Sequence, residues 1–159
     1  MIAICYLYAV LEPDADDSPR LIDDLGFLLS RAGGLVISST NDALAPLDLK
    51  VRSYSVLVSA AEHRDGVNQR RLAEILALDP SQMVGIVDDL ETRGLVERRP
   101  DPVDRRNKLI VATRDGRALR SRAQRAAGRA QTEFFADVEP SVSTQLRATL
   151  QAILFPHQS

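Results

Sequence analysis

Little in this chain invites covalent or metal chemistry. Its 159 residues include one cysteine and two histidines, too few for a disulfide framework or a Cys/His zinc site. A lone thiol fits a reducing compartment. Tryptophan is missing and aromatics make up 4%, which argues against a stacking platform for single-stranded nucleic acid. No charge of one sign dominates: 20 Lys+Arg face 22 Asp+Glu, a formal net charge of -2. A globally basic coat is thereby excluded, though a local basic patch is not. The longest apolar start, Met1 to Leu11, is eleven residues, whereas a bilayer span needs about 20. It has no basic leader and no small-residue cleavage site, so it reads as an N-terminal arm and not a signal peptide. A soluble cytoplasmic protein without a membrane partner is expected. No Gly-x-Ser-x-Gly elbow, His-Glu-x-x-His pair or phosphate loop occurs, so no motif supports catalysis. The expectation is a non-enzyme with no cofactor and no metal.

What the chain does have is hydrophobic content and helical periodicity. At 45% hydrophobic, one domain of this length can bury a real core. Charge is unevenly placed. Glu12 to Asp24 holds six acids and one base, while Arg114 to Arg129 holds six arginines and one acid. Leu21, Leu25, Leu28, Ala32 and Val36 predict a long first helix to about Ala43, with Gly33-Gly34 inside it. Tyr54, Leu57, Val58 and Ala61 mark a second helix ending before Asp65-Gly66. A short third helix runs from Gln69 to Leu76, with Leu72, Ile75 and Leu76 inward.

The fourth helix carries the clearest signals. Asp79 suits an N-cap, Pro80 the first helical position and Gln82 a capping box, and Gly94 suits the left-handed residue that ends a helix. Met83, Ile86, Val87 and Leu90 are its inward stripe. The period then changes. Leu95 to Arg99 reads as a strand, Pro100-Asp101-Pro102 breaks it, and Lys108 to Ala112 forms its partner. Thr113 caps a fifth helix with Asp115 in its first turn; its stripe is Leu119, Ala123, Ala126, Ala130 and Phe134. Glu139-Pro140 opens a last helix carrying Val142, Leu146, Leu150 and Leu154. Two short helices followed by a β-hairpin is the order of a winged helix-turn-helix. The terminal helices are too apolar on one face to stand alone, and a symmetric homodimer would bury them.

Between Leu78 and Gly116 the chain resembles the MarR family, the multiple-antibiotic-resistance type of bacterial transcription regulator. The resemblance rests on Pro80-Ser81, on Leu90-Glu91 followed by Arg93-Gly94-Leu95-Val96-Glu97-Arg98, on Asp104-Arg105-Arg106, and on Thr113 to Gly116. It implies a mainly α fold: a winged helix-turn-helix lobe over about 50-113 with one β-hairpin wing, and long N- and C-terminal dimerisation helices over about 20-45 and 114-155. Residues 1-19 would be the arm and 20-159 a single domain. The implied function is that of a ligand-responsive repressor, a homodimer on a pseudo-palindromic operator in double-stranded DNA. The alternative is a dimeric interaction protein of the same architecture without operator binding.

Within that frame Ser81, Gln82, Val84, Gly85 and Asp88 form the short or polar face that could enter a major groove about 12 Å wide. Ser81 and Gln82 could instead serve only as caps. The hairpin holds Arg98, Arg99, Arg105, Arg106 and Lys108 against Asp101 and Asp104, and hairpin arginines fit a narrow minor groove. By resemblance Arg106 reaches that groove and Asp104 braces it through a salt bridge. The helix itself carries Asp88, Asp89 and Glu91 against Arg93 alone. Lys50, Arg52, Gln69, Arg70, Arg71, Arg99 and Lys108 must therefore supply the contacts and the positive field, unless the acids point toward the protein.

The family often takes a small aromatic or phenolic effector, for which Phe27, Ser30, Arg31 and Tyr54 are candidates by position, although Phe27 and Tyr54 also suit a core. One branch senses peroxides through a cysteine where this chain has Gly26, which leaves Cys5 as an inert thiol. His63 suits a helix C-terminus and His157 a solvated chain end.

Overall fold

A computed structural model describes residues 20–104 and 107–156. The N-terminal arm over 1-19, Cys5, His157 and the pair Arg105 and Arg106 lie outside the described residues. The chain divides at Gly34/Leu35 into two units.

The first unit contains a 3-10 turn, Leu21–Asp23, and the start of helix α1, Leu25–Leu44. The helix begins later than its apolar spacing suggests because Asp24 caps it, its Oδ1 accepting the Phe27 N–H at 2.6 Å. Leu21, Leu25 and Leu28, the apolar stripe expected to need a partner's cover, are exposed. They form an exposed apolar stripe among the described residues of this unit.

The second unit contains α2 (Val51–Glu62), β1 (Val67–Asn68), α3 (Gln69–Leu76), α4 (Pro80–Thr92), β2 (Val96–Pro100), β3 (Lys108–Ala112), α5 (Arg114–Phe134) and α6 (Pro140–Leu154). The fold is mainly α with one small antiparallel sheet of order β1-β3-β2. Val96 pairs with Ala112 and Pro100 with Lys108, while Val67 faces Ile110. Strand β1 is unforeseen: two residues carry no alternation, and their partner lies some forty positions away. The first hairpin strand starts at Val96 and not at Leu95, because the Leu95 N–H still bonds back to Leu90 O in the turn after α4.

Leu57 and Val56 of α2, Leu72 of α3, Met83, Val87 and Leu90 of α4, and Ile110 of β3 are fully buried and form the centre of the core. They pack the three short helices against the root of the hairpin. Val56 and Ala60 take inward positions on α2 where Tyr54, Val58 and Ala61 are half-buried. On α5 the inward face is Ala123, Ala126, Ala127 and Ala130. Small side chains there let α5 approach α2 closely. Helix α6 has no buried residue, and Val142, Leu146, Ile153 and Leu154 are exposed. Among the described residues, no helix is long and apolar enough to cross a membrane.

The caps follow local chemistry. Asn41 Oδ1 accepts the Val51 N–H at 2.9 Å and Asn68 caps α3 through the Arg70 N–H at 2.8 Å. Thr113 ties this corner together: its hydroxyl accepts the Gly116 N–H at 3.0 Å and donates to Gly94 O at 2.7 Å, with Leu95 O also within 3.2 Å, and its own N–H donates to Leu95 O at 3.0 Å. Thr113→Ala removes the cap and leaves the Gly116 N–H and Gly94 carbonyl short of a partner. Unfolding in urea should show a loss of about 1–2 kcal/mol with an unchanged m value.

Candidate nucleic-acid interface

Helix α3, a three-residue turn and helix α4 set one helix across another. Ala77 makes the turn in the left-handed region, φ 48°. Asp79 then caps α4, its Oδ1 accepting from Ser81 N at 2.8 Å and from the Ser81 hydroxyl at 2.5 Å. The Ser81 hydroxyl, followed by backbone N–H donors, holds the Asp79 carboxyl below the usual carboxylate range. The cap is therefore fully formed above the ordinary carboxyl pKa and fades as pH falls through the lowered one.

With Met83, Val87 and Leu90 buried, the opposite face of α4 presents Ser81, Gln82, Val84 and Gly85, all exposed. A Cβ added at Gly85 meets nothing within 4 Å, so this face is open. Gln82 does not complete a capping box. Its Oε1 accepts from the Arg52 guanidinium at 3.0 Å, linking the N-terminal turns of α2 and α4. The box gives way because a cation from the neighbouring helix is a stronger donor than a backbone N–H. Arg52 and Gln82 are thereby placed side by side at one edge of the exposed face. Gln69 is half-buried at the start of α3, and Arg70 points outward but is paired with Glu74 at 3.3 Å.

The wing follows α4 in the chain, with β2 paired antiparallel to β3. Arg99 and Lys108 are exposed on its two strands, with Arg99 paired to Glu97. Asp101 has a job that sequence spacing left unexplained: its Oδ1 accepts the Val103 N–H at 2.8 Å, and its N–H bonds Asn107 O at 3.2 Å, closing the loop. Asp104 accepts from the Asn107 side-chain amide at 3.2 Å. The tip carries Val103 at 93% exposure.

The acids of α4 are not left facing outward alone. Asp89 pairs with Arg93 at 3.2 Å, while Asp88 and Glu91 both pair with Arg98. Arg98, one of the five cations that the sequence places on the hairpin, is paired with the helix. A cleft of about 600 Å³ runs between α2 and α4, lined by Asn41, Lys50, Arg52, Gln82, Ile86 and Asp89 among others. Tyr54 lines neither this cleft nor its neighbour at Asp48 and Arg93. It lies half-buried near Arg120 and Glu62. Burial pushes its hydroxyl up, against the pull of Arg120 and with the help of Glu62. Phe27, Ser30 and Arg31 sit on the N-terminal half of α1, in the other unit, with Phe27 half-buried and the other two exposed.

Known proteins converge on the same arrangement. A family model described as MarR family matches residues 49–108. A MarR-family transcriptional regulator from Rhodococcus sp. RHA1 is 55% identical; the match covers 87% of this chain and 98% of that one, with a TM-score of 0.84. CouR from Rhodococcus jostii RHA1, crystallised bound to p-coumaroyl-CoA, is 51% identical over 89% of this chain and 99% of its own, with a TM-score of 0.80. An HTH-type transcriptional repressor of Mycobacterium tuberculosis is 27% identical over 139 residues, covering 87% of this chain and 96% of that protein.

Proposed function

From the premise that this chain belongs to the MarR family of transcription regulators, we propose that it is a homodimeric repressor that reads a pseudo-palindromic operator in duplex DNA and lets go of it on binding a small effector. The observation that carries this reading is the open face of α4. Ser81, Gln82, Val84 and Gly85 are exposed together, with Arg52 beside them and the wing next in the chain. Short side chains let the helix seat deeply. Gln82 suits an adenine edge and Val84 a thymine methyl. Arg70, Arg99 and Lys108 supply phosphate contacts, and Arg105 and Arg106, between the two hairpin strands in sequence, take the adjacent minor groove.

Dimer formation would present two such faces about 34–36 Å apart, one turn of duplex. The stripes Leu25–Leu28 on α1 and Val142–Leu154 on α6 are the surfaces for that pairing. The effector proposed is a phenolic or other aromatic acid or its thioester, by analogy with the p-coumaroyl-CoA bound to CouR. Phe27, Ser30, Arg31 and Tyr54 remain the residues proposed to meet it. An effector of this kind would act by favouring one spacing of the two reading faces over another. The reading includes no catalysis and a cytoplasmic location. The alternative of an interaction protein without operator binding drew its force from the acids of α4, and those are ion-paired.

Selection from a pool of randomised duplexes tests the proposal. Recovered sequences should be inverted repeats with half-sites one helical turn apart. On such a duplex, Arg106→Ala should bind about tenfold more weakly while melting at the wild-type temperature. Recovery of no common sequence, or only of direct repeats, would sink it.

A further inference from the structure

Arg98 lies in the middle of β2 with its side chain 23% exposed. One end of its guanidinium reaches Asp88 Oδ1 at 2.5 Å; the other is bonded to the Glu91 carboxylate. Glu91 also accepts the Arg98 backbone N–H at 3.0 Å. Burial works against charge on Arg98, but the bonds to Asp88 and Glu91 outweigh it and hold the group above its ordinary pKa. The fork is therefore always a cation, and both of its ends are engaged.

Asp88 and Glu91 sit on the helix that the proposed function lays against phosphates. A carboxylate near a phosphate backbone weakens binding, just as a cation there strengthens it. We infer that Arg98 is a charge-masking residue for duplex binding: it draws Asp88 and Glu91 into ion pairs against β2, so that an acidic recognition helix can approach a polyanion. This rests on the duplex-binding reading. It differs from a phosphate-contact role, because Arg98 acts here only through the two acids.

The distinction can be measured with full-length protein and two fluorescein-labelled 30-base-pair duplexes, one recovered by the selection above and one of unrelated sequence. Arg98→Gln unmasks two carboxylates and should weaken binding to both duplexes roughly tenfold or more at low salt. Asp88→Asn with Glu91→Gln should bind at least as tightly as wild type. The triple variant should return to within about threefold of wild type, since masking is no longer needed once the acids are gone. Wild-type affinity for Arg98→Gln, or a triple variant as weak as the single, would overturn the inference while leaving the regulator reading intact. If Arg98→Gln does not fold, the Asp88→Asn/Glu91→Gln protein decides: weaker binding overturns the inference, equal or tighter binding upholds it. A wild-type protein that binds neither duplex overturns the regulator reading and takes this inference with it.

Discussion

Leu146→Glu combined with Ile153→Glu should give a protein that sediments as a monomer, keeps its helical circular dichroism, and binds its operator about 10²–10⁴-fold more weakly. The reasoning starts from α6, where Leu146 is 39% exposed and Ile153 65%. They are seven residues apart and so share a face, and Arg147 is the only charged residue of the helix. A contiguous exposed apolar stripe of this kind is what the proposed dimer would cover. Inside one protomer, two glutamates there disturb no buried contact, so the fold should survive. Across a two-fold interface each would be buried without a counter-ion, and buried unpaired charges are strongly destabilising. In the proposed dimer the two half-sites are bound together, so a monomer would lose the gain from linking them. Removal of the chain after Asp137 should act in the same direction, giving monomers or aggregates. A double variant that still sediments as a dimer would contradict the assignment of this face.

The second large effect is on stability. Gly116→Ala should lower the melting temperature by about 10 °C, corresponding to a loss of about 3 kcal/mol. Gly116 is buried in the first turn of α5. A Cβ placed there would lie 1.9 Å from the Leu95 carbonyl oxygen and 2.9 Å from its carbon, with Leu57 Cδ1 at 3.2 Å. These first two neighbours are backbone and cannot swing aside. The Leu95 carbonyl is also held in place, since it accepts the Thr113 N–H. Relief requires α5 to move off the α4–β2 turn, which would break the Thr113 cap as well. Thermal melting followed by circular dichroism checks this, and a change below about 3 °C would show that the joint is softer than its geometry indicates.

What the sequence discloses and what it conceals divide along the range of the interactions. Asp79-Pro80 and Thr113 act on their own next few residues, so their caps are readable and are found in place. The strands Val96–Pro100 and Lys108–Ala112 are legible because Asp101-Pro102 breaks the chain between them, although the first runs on through Pro100, expected to end it, which pairs with Lys108. The stripe Leu21, Leu25 and Leu28 is legible as an apolar helix face and is exposed in the protomer: periodicity identifies a greasy face without identifying its cover. Gln82 looks like a capping residue in its local context and is taken by Arg52, thirty positions earlier. The pairing of Arg98 with Asp88 and Glu91 joins a helix to a strand. Only the turn at Gly94, which folds one back along the other, brings them together. In the candidate site, then, the exposed face of α4 is read correctly from composition and spacing, while the ionic state of its acids is not.

Thr113 fastens the first turn of α5 to the chain where α4 ends, through Gly94 and Leu95. Twenty-one residues of helix follow, a shaft of roughly 30 Å. A shaft pinned so firmly at one end transmits torque. In the proposed regulator, a twist applied at its far end, near Phe134, would arrive at α4 as a change in the pitch of the face offered to a duplex.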